Sequence, residues 1–264
     1  MTIQQTTPAF AAEWRAWEEA RWAAVSGPHG TASLADTVWL FAQEQRIAGV
    51  AGSWSAEGAA VRGEGLRDSG LRDAQGELVG DTVVLQAGDT LTDGPRLLRA
   101  FVRDGSPALR ILDPDAETRT SLTGLDAYQP DQAWVRPAVF EPNEGSLEVE
   151  LVDGHRSVNE RSGTLRFELD GIERTLTATV GAQALSVVFA DATSGAETYR
   201  FRFLTVPLPD AAGATVVDFT RAFLPPCAFS PHYVCPLPPP GNRFEFAVTA
   251  GEKLPVRVEE EAAA

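Results

Sequence analysis

The chain has 264 residues, of which 44% are hydrophobic and 8% aromatic, a composition typical of a globular protein with one large or two smaller domains. Its formal net charge of -15 repels phosphate backbones and anionic headgroups, which argues against nucleic acids and membrane surfaces as partners. The sequence has no secretory signal pattern and no long apolar run, so we expect a cytoplasmic protein.

The first thirty residues contain the pattern of one α-helix. Thr7 is a suitable amino-terminal cap and Pro8 a suitable first helical residue, because the first turn leaves the amide position of Pro8 unbonded. Large apolar side chains then recur at helical spacing, at Phe10, Trp14, Trp17 and Val25. We therefore predict a helix within residues 1–30 whose aromatic stripe packs against the rest of the protein.

Residues 31–130 have the two-residue periodicity of β-strands. The segment Asp81–Gln86 is predicted to be one strand. Two further runs, at 97–103 and 108–113, flank Asp104 and Gly105, a pair typical of a tight hairpin turn. We interpret this region as an amino-terminal β unit.

A second series of alternating segments covers residues 131–258. Leu165, Phe167 and Leu169 alternate with polar residues as in a half-buried strand, and Asp170-Gly171 predicts a type I′ turn. Six runs are predicted to carry the strands of this domain, at 134–140, 146–152, 164–180, 185–206, 214–219 and 243–248.

Strands joined by short turns, without intervening helices, favour an antiparallel fold over a parallel α/β fold. We predict a mainly β protein with antiparallel sandwich or barrel-like sheets and one amino-terminal α-helix. The predicted domains are the helix at 1–30, a β unit at 31–130 and a β domain at 131–258. The acidic tail at 259–264 is expected to be a solvated end.

The segment from Asp218 to Lys253 has the most unusual composition, because it contains both cysteines, several prolines and the only lysine of the chain. Prolines such as Pro225, Pro226 and the run at 238–240 predict a stiff, non-helical path. Cys227 and Cys235 would be thiols in a reducing cytosol, although a disulfide between them stays open.

Two kinds of chemistry have weak support in the sequence. Cys227, His232 and Cys235 include metal-ligand types, but their spacing is unlike that of usual zinc hairpins. We therefore predict no metal and no cofactor. A serine triad at Ser194 would need a histidine base and an acid, and the chain has few histidines from which to build one.

Asp218 and Arg221 form the more informative pair, because both lie where a strand enters the stiff loop. They could form an ion pair that supports the loop. Together with Asp191 and Tyr199, they could instead line a polar pocket in which Arg221 binds a carboxylate or phosphate. Both interpretations stay open at this stage.

Several motifs together resemble DUF1684, a bacterial family named only as a domain of unknown function. They are DATSGAETY at 191–199, RFL at 202–204, DFTRAFLPPCAF from 218, CPLPPPGNRF from 235 and AGEK from 250. The resemblance extends upstream and covers nearly the whole chain. It implies a mostly β cytoplasmic protein, and it implies no activity.

The family pattern corresponds here to residues in two motifs. These are Asp191, Thr193, Ser194, Gly195, Thr198 and Tyr199 in the first, and Asp218, Arg221, Pro225, Pro226, Cys227, Phe229, Cys235, Pro236 and Asn242 in the second. Thr220 stands where the family usually has asparagine, and Val38 where many relatives have histidine. Any chemistry that those two polar residues perform in relatives is therefore in doubt here.

Three functional hypotheses follow from the sequence. The first is a non-catalytic β-fold protein that binds a small molecule or a peptide in a pocket closed by the loop at 218–241, which we call the proline-rich loop. The second is an enzyme, such as a hydrolase or isomerase, that uses Asp191, Tyr199, Asp218 and Arg221. The third is a scaffold whose proline-rich loop meets a partner protein. The sequence leaves open whether the protein is an enzyme, and it leaves the oligomeric state open.

Overall fold

The computed structural model describes residues 7–143, 146–159 and 161–258. The acidic tail at 259–264 and the first six residues lie outside these ranges. The described part is mainly antiparallel β-structure with one long helix at its amino end, which confirms the predicted fold class. None of its helices is both long and apolar enough to cross a membrane.

The chain divides into two compact units. The amino-terminal unit comprises Ala23–Leu122 and Phe229–Tyr233. The carboxyl-terminal unit comprises Met1–Trp22, Thr123–Ala228 and Val234–Ala264. Our division at residues 130 and 131 stays a prediction, because compactness alone does not measure independent folding.

Helix α1 spans Pro8–Ser26, as predicted. The Thr7 hydroxyl accepts a hydrogen bond from the Phe10 amide at 3.3 Å, which confirms its capping role. Within the carboxyl-terminal unit, Trp14 is buried and its indole Nε1 donates to the Thr220 carbonyl at 2.8 Å. Phe10 and Trp17 are only half-buried, so the aromatic stripe is in part accessible to solvent.

The amino-terminal unit contains two antiparallel sheets with one apolar core. The strands are β1 (Leu34–Trp39), β2 (Ser53–Glu57), β3 (Ala60–Glu64), β4 (Thr82–Leu85), β5 (Thr90–Asp93), β6 (Arg96–Arg103) and β7 (Ser106–Leu112). They form sheets of order β1-β7-β6-β5 and β2-β3-β4. Trp54, Leu98 and Leu109 are fully buried between them.

The turn between β6 and β7 follows the prediction from sequence. Asp104 and Gly105 both have positive φ, at 47° and 79°, which is the backbone conformation of a two-residue I′ turn. A short helix, α2 (Glu117–Thr120), follows β7.

The carboxyl-terminal unit is built around a six-stranded, nearly closed, barrel-like sheet. The strands of this region are β8 (Leu122–Ala127), β9 (Val135–Pro142), β10 (Leu147–Glu150), β11 (Arg156–Asn159), β12 (Ser162–Leu169), β13 (Ile172–Val180), β14 (Ala184–Phe189), β15 (Arg202–Pro207), β16 (Ala214–Asp218) and β17 (Glu252–Arg257). The strand order of the large sheet is β15-β14-β13-β12-β9-β16, while β10-β11 and β17-β8 form separate pairs. Leu165, Phe189 and Phe219 are fully buried inside.

One predicted strand, at 243–248, is wrong. Its side chains alternate between exposed and buried as in a strand, yet the backbone makes only an isolated bridge, between Arg243 and Ala190. Two backbone hydrogen bonds join Phe244 and Phe246 to Ala190 and Ala192, but at Val248 side chains take the place of a neighbouring strand. The Val248 carbonyl accepts from the Arg202 guanidinium at 2.9 Å, and the Val248 amide donates to the Asp191 carboxylate at 3.4 Å.

Candidate functional site

The candidate site lies at the seam of the barrel-like sheet, where its outer strands β15 and β16 come together. The Thr215 hydroxyl of β16 donates to the Pro207 carbonyl of β15 at 2.8 Å. Beside this contact is a groove of about 510 Å³, which we call the seam groove. Its lining includes Phe10, Glu13, Trp17, Asp218, Arg221 and Phe223.

Asp218 is oriented by the short turn that follows β16. Its Oδ1 accepts hydrogen bonds from the Thr220 amide at 3.0 Å and from the Thr220 hydroxyl at 2.5 Å. Its Oδ2 lies 3.3 Å from Arg221 Nε. Asp218 therefore fixes the turn and holds the positive charge of Arg221 at the groove.

Arg221 is the accessible member of that pair. Its side chain is 38% exposed, against 19% for Asp218. Within the described ranges its two terminal amino groups make no hydrogen bond to protein atoms. A guanidinium fork with free terminal donors is suited to a planar carboxylate or a phosphate.

Asp191 does not share a contact with Asp218 or Arg221 in the described structure. Its Oδ1 accepts from the Thr193 amide at 2.7 Å and the Thr193 hydroxyl at 2.6 Å. Its Oδ2 lies 2.6 Å from Nη2 of Arg202, and neither side chain has exposed surface. The hydrogen-bonding capacity of Asp191 is therefore taken up inside the protein.

Arg202 was not among our candidate site residues, although the sequence contains a signal for it. Arg202 has the same strand parity as Leu204 and Val206, and all three side chains are buried. A charged residue on the buried face of a strand requires a buried partner of opposite charge. Applied to Arg202, this rule predicts a buried acidic partner, which is Asp191 in the structure.

Tyr199 lies beside the cysteines rather than beside Asp218. Its hydroxyl donates to the Cys227 carbonyl at 3.1 Å and lies 3.8 Å from the Cys227 sulfur. Hydrogen bonding from the Cys235 thiol, helped by Tyr199 and Arg200 and opposed by burial, lowers the pKa of Cys227 to about 7. Burial and the neighbouring Cys227 raise the pKa of Tyr199 to about 12.

The remaining loop residues have structural contacts. Pro225 is buried and its carbonyl accepts from the Ala228 amide at 2.9 Å, while Pro226 begins a single 3-10 turn. Asn242 is fully buried, accepts from the Thr177 amide and donates to the carbonyls of Thr177 and Val188. These contacts fasten the proline-rich loop to the sheet.

The metal-ligand residue types of the loop have other neighbours. His232 Nδ1 lies 3.3 Å from the Asp36 carboxylate. Cys227 and Cys235 are not joined by a disulfide in the structure, and both are thiols. Among the residues that the structure describes, no group of three or more His, Cys, Asp or Glu side chains is arranged to hold a metal ion.

Comparison with known proteins connects the chain to one family. The family described as "Protein of unknown function (DUF1684)" matches residues 120–253. The solution NMR structure of an uncharacterized protein of Haloarcula marismortui is 33% identical over 51% of this chain and 78% of that chain, with a TM-score of 0.42. No curated protein matches the chain significantly. Because the family match covers more than half of the sequence, the protein belongs to the DUF1684 family.

Proposed function

We propose that the protein is a non-catalytic binding protein whose seam groove takes a short peptide or amino-acid derivative with an apolar side chain and a free carboxylate. The observation that carries this proposal is the Arg221 guanidinium, which is held by Asp218 and has terminal donors available at the groove. A ligand carboxylate can accept two parallel hydrogen bonds from such a fork.

The size and walls of the groove support a small organic ligand. Its volume of about 510 Å³ lies within the range of small-molecule sites. Phe10, Trp17 and Phe223 supply aromatic surface that can bury an apolar side chain. The half-buried state of Phe10 and Trp17 leaves part of that surface free to gain contacts when a ligand binds.

The charges around the groove favour a ligand that carries both signs. Arg221 is accompanied by the carboxylates of Asp218 and Glu13, and the whole chain is strongly acidic. A purely anionic ligand would meet this negative field, whereas a free amino group is attracted by it. An amino acid or a peptide with free termini supplies an ammonium group for Glu13 and a carboxylate for Arg221.

The enzymatic alternative has less support from the same contacts. Asp191 is bound to Arg202 and Thr193, and the Tyr199 hydroxyl is directed at Cys227. Within the hypothesised catalytic set, Asp218 and Arg221 contact each other, while Asp191 and Tyr199 are each bound to other residues. A general acid or base must reach the reacting group, and these contacts do not bring the four side chains to one place.

The scaffold alternative is also less supported. Pro238 is buried, and the Leu237 amide donates to the Glu150 carbonyl at 2.8 Å, so the proline run packs against β10. Pro239 is half-buried and Pro240 is exposed, so a partner could reach only part of this run.

Calorimetric titration of the full chain with Ala-Phe, acetyl-Ala-Phe and Ala-Phe-amide tests the proposal. We expect Ala-Phe to bind most tightly and the amide at least about tenfold more weakly, because the amide cannot accept both Arg221 hydrogen bonds. In Arg221→Gln the preference for the free carboxylate should disappear. Trp17→Ala should weaken all three peptides alike.

Arg15→Gln is the matched control for Arg221→Gln, because it makes the same substitution at an exposed arginine of helix α1 that does not line the groove. It should bind the three peptides like the unmodified protein. If none of the peptides binds, or if Arg221→Gln keeps the preference for the carboxylate, the proposed ligand class is wrong.

A further inference from the structure

The chain has only two cysteines, both within the proline-rich loop, and the fold brings them together. The Cys227 amide donates to the Cys235 sulfur at 3.3 Å. Cys227 is half-buried and therefore partly accessible, whereas Cys235 is 3% exposed. The two thiols thus differ in accessibility although they are adjacent.

The surroundings of Cys227 favour its thiolate form. The Tyr199 hydroxyl lies 3.8 Å from its sulfur, and the exposed Arg200 guanidinium lies 5.6 Å from the Tyr199 ring. Because the pKa of Tyr199 is raised, its hydroxyl keeps its proton at neutral pH, and it can turn that single proton from the Cys227 carbonyl to the Cys227 sulfur when the thiolate forms. Together with the Cys235 thiol, these groups face Cys227 with hydrogen-bond donors and a positive charge.

Hydrogen bonds to the backbone carbonyls of both cysteines also hold them in position. The Tyr199 hydroxyl donates to the Cys227 carbonyl at 3.1 Å. The Val152 amide donates to the Cys235 carbonyl at 2.9 Å, and the neighbouring Pro236 bridges to Leu151. These bonds hold both cysteines in place, which favours a reaction between them over a reaction with a distant thiol.

We propose that Cys227 and Cys235 form a hydroperoxide-reactive dithiol, in which Cys227 is the attacking residue and Cys235 the resolving residue. An accessible, stabilised thiolate beside a second thiol is the arrangement that reversible cysteine oxidation requires. This modification site is independent of the seam groove and of the ligand proposed for it.

The chemistry balances with a hydroperoxide as the only oxidant. The Cys227 thiolate attacks one peroxide oxygen, the O–O bond breaks, and the alcohol or water that leaves takes up a proton. Sulfur is oxidised by two electrons to a sulfenic acid. The Cys235 sulfur then attacks the Cys227 sulfur, an S–S bond forms, the S–O bond breaks, and water leaves with the Cys235 proton. Two thiols and one hydroperoxide thus give one disulfide, one alcohol or water, and one water.

The test is treatment of the reduced full chain with hydrogen peroxide, followed by intact-mass measurement and peptide mapping. We expect a mass loss of two hydrogen atoms and a Cys227–Cys235 crosslink within one chain, reversed by a dithiol reductant. Cys235→Ser should accumulate a sulfenic acid at Cys227 that dimedone traps, because the resolving thiol is missing. Cys227→Ser should give far less dimedone adduct, since only the buried Cys235 remains.

Tyr199→Phe separates this role from simple packing. It keeps the aromatic ring and removes the hydroxyl that faces the sulfur, so the pH midpoint for alkylation of Cys227 should rise from about 7. Wild-type protein that keeps both thiols after excess peroxide would overturn the proposal, whatever the variants do. Equal dimedone labelling of Cys227→Ser and Cys235→Ser would overturn the assignment of the attacking residue.

Discussion

The guanidinium of Arg202 and the carboxylate of Asp191 form an ion pair that is shielded from solvent, with Nη2 and Oδ2 2.6 Å apart. Arg202 also donates to the carbonyls of Val248 and Ala250, and its guanidinium lies 5.1 Å from the Phe189 ring. The pair therefore fastens an irregular carboxyl-terminal segment to β15, and it does so with charged groups that water cannot reach.

Replacing only one member of this ion pair should lower the stability of the folded protein. In Arg202→Met the Asp191 carboxylate keeps its burial but loses its counter-charge, so we expect the free energy of unfolding to fall by about 3–5 kcal/mol. The measurement is urea unfolding followed by tryptophan fluorescence. Asp191→Asn/Arg202→Met should lose less than the sum of the two single variants, because no unpaired charge remains.

The matched control is Arg166→Met. Arg166 pairs with Glu141 at 3.0 Å on the same sheet, but both side chains are about half exposed. Its loss should change the free energy of unfolding by about 1 kcal/mol or less. Equal effects at Arg166 and Arg202 would contradict the assignment of a structural role to the buried pair.

Asn242 completes the hydrogen bonding between β13 and β14. The ladder between these strands is limited to the pairs Thr179 with Ser186 and Val180 with Leu185. Beyond this ladder, the side-chain oxygen Oδ1 of Asn242 accepts a hydrogen bond from the Thr177 backbone amide at 2.7 Å. Its side-chain nitrogen Nδ2 donates to the Thr177 and Val188 carbonyls at 2.8 Å each. The side chain thus satisfies the backbone groups that the ladder leaves unbonded.

We therefore expect Asn242→Ala to lower the free energy of unfolding by about 3 kcal/mol, since several buried backbone groups lose their partners. Asn242→Asp should be no better, because a carboxylate cannot donate to the two carbonyls. Chemical denaturation measures both variants. Asn143→Ala is the control, since the Asn143 amide makes an exposed hydrogen bond with Thr164; an equal loss there would remove the special role of Asn242.

Local sequence patterns predicted much of the fold. Asp104-Gly105 and Asp170-Gly171 marked hairpin turns because only a few residue types tolerate positive φ, and both pairs adopt it. The helix from Pro8 and the alternation of β12 followed from equally local rules. Features that depend on neighbours in sequence were thus accessible without a structure.

Features that depend on distant residues were not accessible in the same way. The segment at 243–248 alternates like a strand, but it pairs with the backbone only around Ala190 and Ala192, and at Val248 its hydrogen bonds go to the side chains of Asp191 and Arg202. No local pattern reveals these distant partners. Asp218 and Arg221 were paired correctly because they are three residues apart. Asp191 and Tyr199 belong to a different motif, at 191–199, and each has a partner other than Asp218 and Arg221.

Gly163 of β12 is predicted to be intolerant of even one methyl group. A Cβ built there would overlap the Phe140 ring, far closer than van der Waals contact allows, and would lie 2.6 Å from the Glu141 carbonyl. Gly163→Ala should therefore lower the free energy of unfolding by about 1–3 kcal/mol through overpacking. Thermal or urea unfolding measures the loss.

The contact with Phe140 can be tested directly. Phe140→Leu leaves more space beside residue 163, so Gly163→Ala should cost less in the Phe140→Leu background than in the unmodified protein. Gly241→Ala is the control, because a Cβ there would meet no atom within 4 Å. Equal costs of Gly163→Ala in both backgrounds would show that the Glu141 carbonyl, rather than the ring, limits the site.

The lowered pKa of Cys227 has a consequence for stability as well as for reactivity. Between about 7 and the ordinary thiol value, the folded protein binds fewer protons at Cys227 than the unfolded chain, so this contribution to stability rises with pH. This stabilising contribution of the Cys227 thiolate is complete at pH values above the ordinary thiol pKa, and it is lost as the pH falls through about 7. Cys227→Ser removes the titration.

We therefore expect the difference in unfolding free energy between the reduced wild type and Cys227→Ser to be larger at about pH 8 than at about pH 6. Urea unfolding with a reductant present measures it at each pH. Tyr199→Phe should reduce this pH dependence without abolishing it, because Cys235 and Arg200 still face the sulfur. A difference that stays constant, or that grows toward acid pH, would mean that folding does not stabilise the Cys227 thiolate.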